Sequence, residues 1–207
     1  MAVMVSNLTP ANWNNEPGAD ALRRAYELLK TNPKKAVNEL EALADRGSLM
    51  SIWYLADAYY SGRYFAKDMN GAKKWYRRAE ESGASYGSHM LGSVCYKIEE
   101  FPEALSAFSR GAANGYAPSI YRLGMMYKDG KGTSVDLNES RRLLESAVAK
   151  GHLFAKRDLG TLYISGKMGI QAIPKGFLMI VSLFFDMIVI TFRERNTISE
   201  FDERVIS

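Results

Sequence analysis

Residues 47–62, GSLMSIWYLADAYYSG, and residues 115–130, GYAPSIYRLGMMYKDG, are one phrase written twice. The same phrase returns at 83–98 and 151–166, so that Gly47, Gly83, Gly115 and Gly151 follow one another at intervals of 36, 32 and 36 residues. Eight residues after each glycine stands Leu55, Leu91, Leu123 or Leu159, and next to it Ala56, Gly92, Gly124 or Gly160. Offset 12 holds Tyr59, Cys95, Tyr127 and Tyr163, and offset 15 holds Gly62, Gly130 and Gly166. Offset 4 is always small: Ser51, Gly87, Ser119 and Ala155. A fixed period of this length marks a repeat architecture, in which each unit buries its apolar face on its neighbours.

Offsets 4, 8, 11 and 12 share one side of a helical wheel, so each phrase reads as an amphipathic helix with a narrow, small-residue contact surface. The glycine at offset 15 suits a left-handed cap that ends it. A second helix appears on counting back from the glycines. Leu43, Ala79, Gly111 and Ala147 lie four residues before them, Leu40, Tyr76, Phe108 and Leu144 seven before, and Ala36, Ala72, Ala104 and Ser140 eleven before. Asp68 and Asp136 are placed to cap second helices, and Asn32 with Pro33 gives a cap and a first-turn proline, a role Pro102 repeats. A four-residue deletion leaves only Lys97 to Phe101 as the turn in one unit, which is where length changes are tolerated. The fold class expected is all-α.

These residues resemble the Sel-one-like repeat family, a relative of the tetratricopeptide repeat. One unit matches it through Leu55, Tyr59, Gly62, Asp68, Ala72, Trp75, Tyr76, Ala79 and Gly83, another through Leu123, Gly124, Tyr127, Gly130, Gly132, Asp136, Ala147 and Gly151. Trp75 gives way to Ala107 and Leu143 in later units, and the cysteine pairs of some secreted members have no counterpart beside the single Cys95. The resemblance implies a right-handed superhelix, a solenoid of antiparallel helix pairs, whose concave surface docks proteins or peptides. It also implies adaptor roles of the kind family members play in signalling, protein quality control and assembly of bacterial envelope machinery. The division expected is a flexible N-terminus at 1–18, a capping helix at 19–32, the repeat array at 33–169, an apolar helix at 170–192 and a polar tail at 193–207.

Composition agrees with a packed chain that has no charge-driven partner. Of 207 residues 47% are hydrophobic, and 27 Lys and Arg against 23 Asp and Glu leave a net charge of only +4. The basic residues form no tract, and no nucleic-acid partner is expected. Cys95 reads as a small buried side chain of a reducing compartment, without the Cys or His neighbours a structural zinc needs. The N-terminus carries no secretory pattern, so a cytoplasmic location is expected, with a place at the membrane periphery left open by the C-terminal helix.

Partner-binding candidates come from offsets 6, 10 and 13, opposite the core stripe: Trp53, Asp57 and Tyr60; His89, Ser93 and Tyr96; Tyr121, Met125 and Lys128; Arg157, Thr161 and Ile164. Tyr, Trp, Met and Arg are effective binding anchors. The same aromatics at offset 6 also suit packing between neighbouring first helices, and both readings stand at this point.

The last apolar stretch breaks the pattern. Gly176, Ile180 and Leu183 continue the second-helix register of Ala72, Tyr76 and Ala79, yet 177–192 holds 13 apolar residues in 16, with Phe177, Ile180, Phe184, Phe185 and Ile188 as candidate contacts. Sixteen residues reach about 24 Å against a hydrocarbon core of about 30 Å, and Asp186 would cost about 2.5–3.5 kcal/mol at its centre. A second copy or other partner, a membrane surface, and burial within the chain are the three fates such a helix allows.

No phosphate-binding loop, nucleophile elbow or zinc-protease motif is present, so no catalytic residue, metal or cofactor is expected and the chain is read as a non-enzyme. His152 directly follows a repeat glycine and reads as a turn residue, His89 as a lining residue, and Glu80–Glu81 and Glu99–Glu100 as solvated surface. The expected function is a protein-binding scaffold. The other reading is an accessory subunit of a membrane-associated complex, such as envelope polysaccharide machinery.

Overall fold

The structure, a computed structural model, describes residues 18–83 and 85–206, so the stretch 1–18 read as flexible lies outside the described residues except for Gly18. Ten α-helices and no strand occur among the described residues: α1 (Ala19–Thr31), α2 (Pro33–Asp45), α3 (Leu49–Ser61), α4 (Met69–Glu81), α5 (Ser85–Lys97), α6 (Phe101–Ala113), α7 (Ala117–Asp129), α8 (Leu137–Ala149), α9 (Leu153–Ile164) and α10 (Ile173–Ile206). They fall into two compact units, 1–119 and 120–207.

In the first unit each helix from α1 to α6 packs on the next. The side chains of Asn32 and Asp68 accept from the backbone N–H groups of Lys35 and Asn70 at the starts of α2 and α4, as their polar side chains and the repeat register require. Ser48, fully buried, caps α3 in the same way through Ser51. Gly62, in the left-handed region at φ 67°, ends that helix. The shortened turn needs the same reversal without a glycine, and Glu99 provides it at φ 62°. The Asp68 N–H donates to the Tyr59 carbonyl at 3.0 Å, and in the shortened turn the Glu100 N–H donates to the Cys95 carbonyl, the equivalent acceptor, at 2.9 Å. The deletion therefore removes loop and keeps the bond that closes the hairpin. Pro102 sits in the first turn of α6 as expected, but Glu100 gives that helix no side-chain cap.

Small residues at offset 4 mark where a first helix meets the preceding second helix at backbone distance. A methyl group on Gly87 would lie 2.7 Å from the Glu80 nitrogen, so the α4–α5 contact needs glycine there. Leu40, Leu55, Leu91, Phe108 and the alanines of the second helices fill the interior. Charges lace the outer helices together. Arg78 bonds Asp45 at 2.8 Å, Arg110 grips both Glu80 oxygens at 2.8 Å, and Lys73 and Arg77 both reach Glu103, with Lys73 also on Glu100. Glu80 and Glu100, read from sequence as solvated surface, are in fact partners in these helix-to-helix pairs.

The second unit repeats the plan. Asp136 caps α8 through the N–H groups of Asn138 and Glu139, and His152 caps α9 by accepting from the Ala155 N–H at 3.2 Å, the turn role its position suggested. The backbone of Gly124 lies against Leu143 and Leu144. Ser140, where three other units have alanine, is fully buried and its hydroxyl has no hydrogen-bond partner among the described residues. Ser140→Ala is expected to stabilise the fold by about 1 kcal/mol, because it removes a desolvated hydroxyl and adds helix propensity. Urea denaturation checks this, and a loss of stability would show that the hydroxyl has found a partner.

α10 starts as the register predicts. Its Gly176 is buried against α9, where a methyl would lie 2.6 Å from the Gly160 carbonyl oxygen, and Ile180 lies over Gly160. Lys156 holds Asp186 at 2.5 Å, and Lys175 donates to the Tyr163 hydroxyl at 3.1 Å and pairs with Glu145 at 3.5 Å. The helix does not stop at the polar tail but continues to Ile206. The stretch Ile170–Phe192, the 3-10 turn Ile170–Ala172 and the first part of α10, has mean hydropathy 2.0, is 6% buried, and by length and composition is long and apolar enough to cross a membrane.

Candidate protein-binding surface

In the first unit the row begins as an aromatic cluster. Trp53 is half-buried, its ring 5.1 Å from Tyr86 and 6.0 Å from Tyr76. Tyr60 meets Tyr76 edge-on at 6.2 Å. Its hydroxyl accepts from Lys97 at 2.5 Å, and the ammonium groups of Lys97 and Lys67 lie 4.5 and 5.5 Å from its ring centre, within cation–π range. Asp57, one turn before Tyr60, is exposed. Burial, with the Asp57 carboxylate adding to it, raises the Tyr76 hydroxyl far above the phenol range and keeps it neutral. Neither Tyr76, a second-helix core position in the repeat register, nor Tyr86, at offset 3, belongs to the offsets from which the row is drawn.

His89 packs 5.6 Å from Phe108 and 5.3 Å from Tyr116, and its Nδ1 lies 3.3 Å from the Ser119 hydroxyl. Ser93 donates to the His89 carbonyl, and Tyr96 meets Phe101 at 5.4 Å. His89 is therefore part of an aromatic contact, with the fully buried Ser119 hydroxyl beside its Nδ1.

In the second unit Tyr121 stacks on His152 at 4.5 Å and donates its hydroxyl to Asp158 at 2.7 Å. Arg157 bonds the same carboxylate at 2.8 Å while its guanidinium lies 5.3 Å from the Phe154 ring. Asp158 is 8% exposed. Burial opposes its ionisation, but the bonds from Arg157 and Tyr121 prevail and hold its carboxyl below the usual carboxylate range. The same Tyr121 hydroxyl, buried and bonded to a carboxylate, is pushed up to about 12. Asp158 is thus the residue that joins two members of the row, and its offset gave no signal. Met125 and Lys128 are half-buried, with Lys128 3.8 Å from Asp129. Thr161 is exposed, whereas Ile164 is taken out of the row by its contact with Gly176 of α10.

One rule covers offset 6. Trp53 meets Tyr86, His89 meets Tyr116 and Tyr121 meets His152, in each case a ring at the start of the following phrase. These side chains pack between first helices and stay half-exposed, so the packing use is observed and part of each ring remains at the surface. Offsets 10 and 13 set Asp57, Ser93, Thr161 and Lys128 beside them, together with Tyr60, Tyr96 and Met125.

The other candidate chemistry is weak. Cys95, Glu100 and Glu103 are close enough to suggest a metal site, but Lys73 and Arg77 occupy the carboxylates. Burial of Glu103 works against its charge, yet hydrogen bonds from those two cations hold it at about 2. Burial pushes the Cys95 thiol up to about 11, the opposite of a reactive thiolate. An open groove of about 700 Å³ runs along α1 and α2 by Arg23, Leu28 and Lys35, apart from the row.

The Sel1 repeat model matches residues 49–83 and 117–152, which hold α3–α4 and the segment from α7 to the start of α9. An uncharacterised protein of Neisseria meningitidis serogroup B is 26% identical over 140 residues, 67% of this chain but 29% of its own length. A protective antigen of uropathogenic Escherichia coli with the same repeat fold is 27% identical, with a TM-score of 0.59 over 70% of this chain and 33% of its own. A Sel1 repeat protein from Oxalobacter formigenes superimposes with a TM-score of 0.60 at 24% identity, over 79% of this chain and 68% of its own, and speaks for the fold alone. The chain spans less than a third of the curated relatives it matches. With its all-α hairpins, its glycine-led phrases and these matches, the chain is an all-α helical-repeat protein that carries Sel1 repeats at 49–83 and 117–152 and is similar to Sel1-like repeat proteins.

Proposed function

We propose that this chain is a non-catalytic adaptor that holds a peptide or protein segment on the exposed edges of its first helices, with α1 as a cap and α10 as a second contact surface. Sel1-like and tetratricopeptide-like repeat proteins as a class mediate protein–protein interaction. The observation that carries the reading is the surface around α3. Half-buried Trp53 and Tyr60, held by Tyr76 and Tyr86, stand beside exposed Asp57 and the Lys97 ammonium. Rings fixed in this way offer large contact area with little ordering cost, and the adjoining charges give direction to a bound segment.

The accessory-subunit reading draws support from one feature, the length and exposure of Ile170–Phe192. It keeps the repeats as a binding body and places the complex at a membrane.

A display selection of random peptides against the full chain tests the adaptor proposal. Enriched peptides are expected to bind at least tenfold more weakly to Tyr60→Ala and Asp57→Ala, the effect of losing one anchor worth about 1.4 kcal/mol. Enrichment of nothing, or of peptides indifferent to both substitutions, would remove this surface from consideration.

A further inference from the structure

We infer that α10 pairs through its exposed apolar face with the same face of a second copy of this chain, an inference that rests on the contact role proposed above for that helix. The repeat register identifies the face. On α4, Lys73, Arg77 and Glu80 carry the ion pairs that join this second helix to the next one, α6. The corresponding places on α10 are Phe177, Val181 and Phe184, exposed by 57, 54 and 63%. Positions that elsewhere receive a neighbouring helix are here open and without charge.

The spacing suits a helix as occupant. Phe177, Val181, Phe184, Ile188 and Phe192 follow at intervals of 4, 3, 4 and 4 residues and form one stripe, flanked by Leu178, Phe185 and Val189. That is the three-and-four alternation by which side chains of one helix seat between those of another. The charged residues beside the stripe are tied to the body instead: Lys175 to Tyr163 and Glu145, Asp186 to Lys156. A face without charge presents nothing that its own copy would repel, and self-complementary faces are what two-fold pairing requires.

The area points the same way. Phe177, Phe184, Phe185 and Phe192 are each about three-fifths exposed, which for rings of about 150–250 Å² amounts to roughly 360–600 Å². With Leu178, Val181 and Val189 on the same side, all exposed as well, the patch lies at or above the top of the roughly 300–600 Å² of a typical monomer's largest and approaches the about 800 Å² that each partner gives to a standard interface. A bilayer-spanning pose fits less well. Lys156, Glu145 and Lys175 are fastened to or beside this helix, and crossing would carry these charges into hydrocarbon.

Sedimentation equilibrium of the full chain in detergent-free buffer tests the inference. The expected mass is twice 23.2 kDa, and Val181→Glu with Phe184→Glu should halve it without change in the far-ultraviolet circular dichroism, whereas Phe184→Leu keeps the pair. Should the double substitution disturb α10, cross-linking decides. In a Cys95→Ala background, Phe185→Cys, near the middle of the stripe, should form an interchain disulfide on oxidation, and Ala149→Cys on α8 should not. A monomeric chain without that cross-link overturns the inference, as does a dimer that survives the two glutamates. Flotation of a monomeric chain with phosphatidylcholine–phosphatidylglycerol vesicles also overturns it and assigns the face to lipid. Peptide binding through Tyr60 and Asp57 is read separately, so failure here leaves the repeat surface standing.

Discussion

Phe108→Ala is expected to lower the unfolding free energy by about 3–5 kcal/mol, the range for deleting a fully buried ring. Phe108 is 1% exposed. Its ring lies against the backbone of Gly92 on α5, at a distance where a methyl on that glycine would come within 2.8 Å of it. The hole left by the ring therefore faces a residue with no side chain to fall into it. Gly92→Ala alone should also destabilise, by about 1–3 kcal/mol, through crowding against the same ring. Combined, the two should cost clearly less than their sum, because the new methyl then occupies part of the space vacated. Urea denaturation of the four proteins of this cycle measures the coupling. Strict additivity would mean that α5 and α6 do not meet as described.

Gly176→Val should have a comparable effect in the second unit, about 3 kcal/mol, but confined to α10. The new side chain would meet the Gly160 carbonyl oxygen at 2.6 Å and the Ile164 nitrogen at 2.9 Å. Both are backbone atoms, so no rotamer relieves the clash and the helices must part. Parting exposes Leu159 and Tyr163, buried on α9, and breaks the Lys156–Asp186 and Lys175–Tyr163 contacts. The result should appear as rapid proteolysis between 165 and 175 and lost amide protection in α10, with the helices of the first unit unaffected. Unchanged protection in α10 would show that the glycine contact is dispensable.

The repeats were legible because stacked units solve the same packing problem at the same offsets. Glycines, small residues at offset 4 and capping Asp or Asn each leave a mark at a fixed distance. The shortened turn was legible too, since Pro102 fixed where the next helix begins, although no residue type announced Glu99 as its left-handed element. The long-range charges were not legible. Glu80 and Glu100 find Arg110 and Lys73 across 30 and 27 residues, and nothing local separates such a carboxylate from a solvated one. Asp158 stayed hidden for the same reason, as its role exists only once Tyr121 and Arg157 converge on it. In α10 the register revealed the docked edge, Gly176 and Ile180. Hydropathy alone treats every side of that helix alike, and which side remains open depends on where α9 lies.

The helix-to-helix charges bear on how such an array is inherited. Arg77 and Glu145 occupy the same place in their repeats, as do Glu103 and Lys175, and the two pairs have opposite polarity. Genes built of repeats are prone to unequal recombination, which duplicates, deletes or shuffles units. Here a unit moved next to the wrong neighbour would set Arg77 against a lysine or Glu145 against a glutamate. Each pair is partly exposed and worth about 0–1 kcal/mol, so a shuffled order would be disfavoured at its seams by a small amount that grows with each mismatched junction.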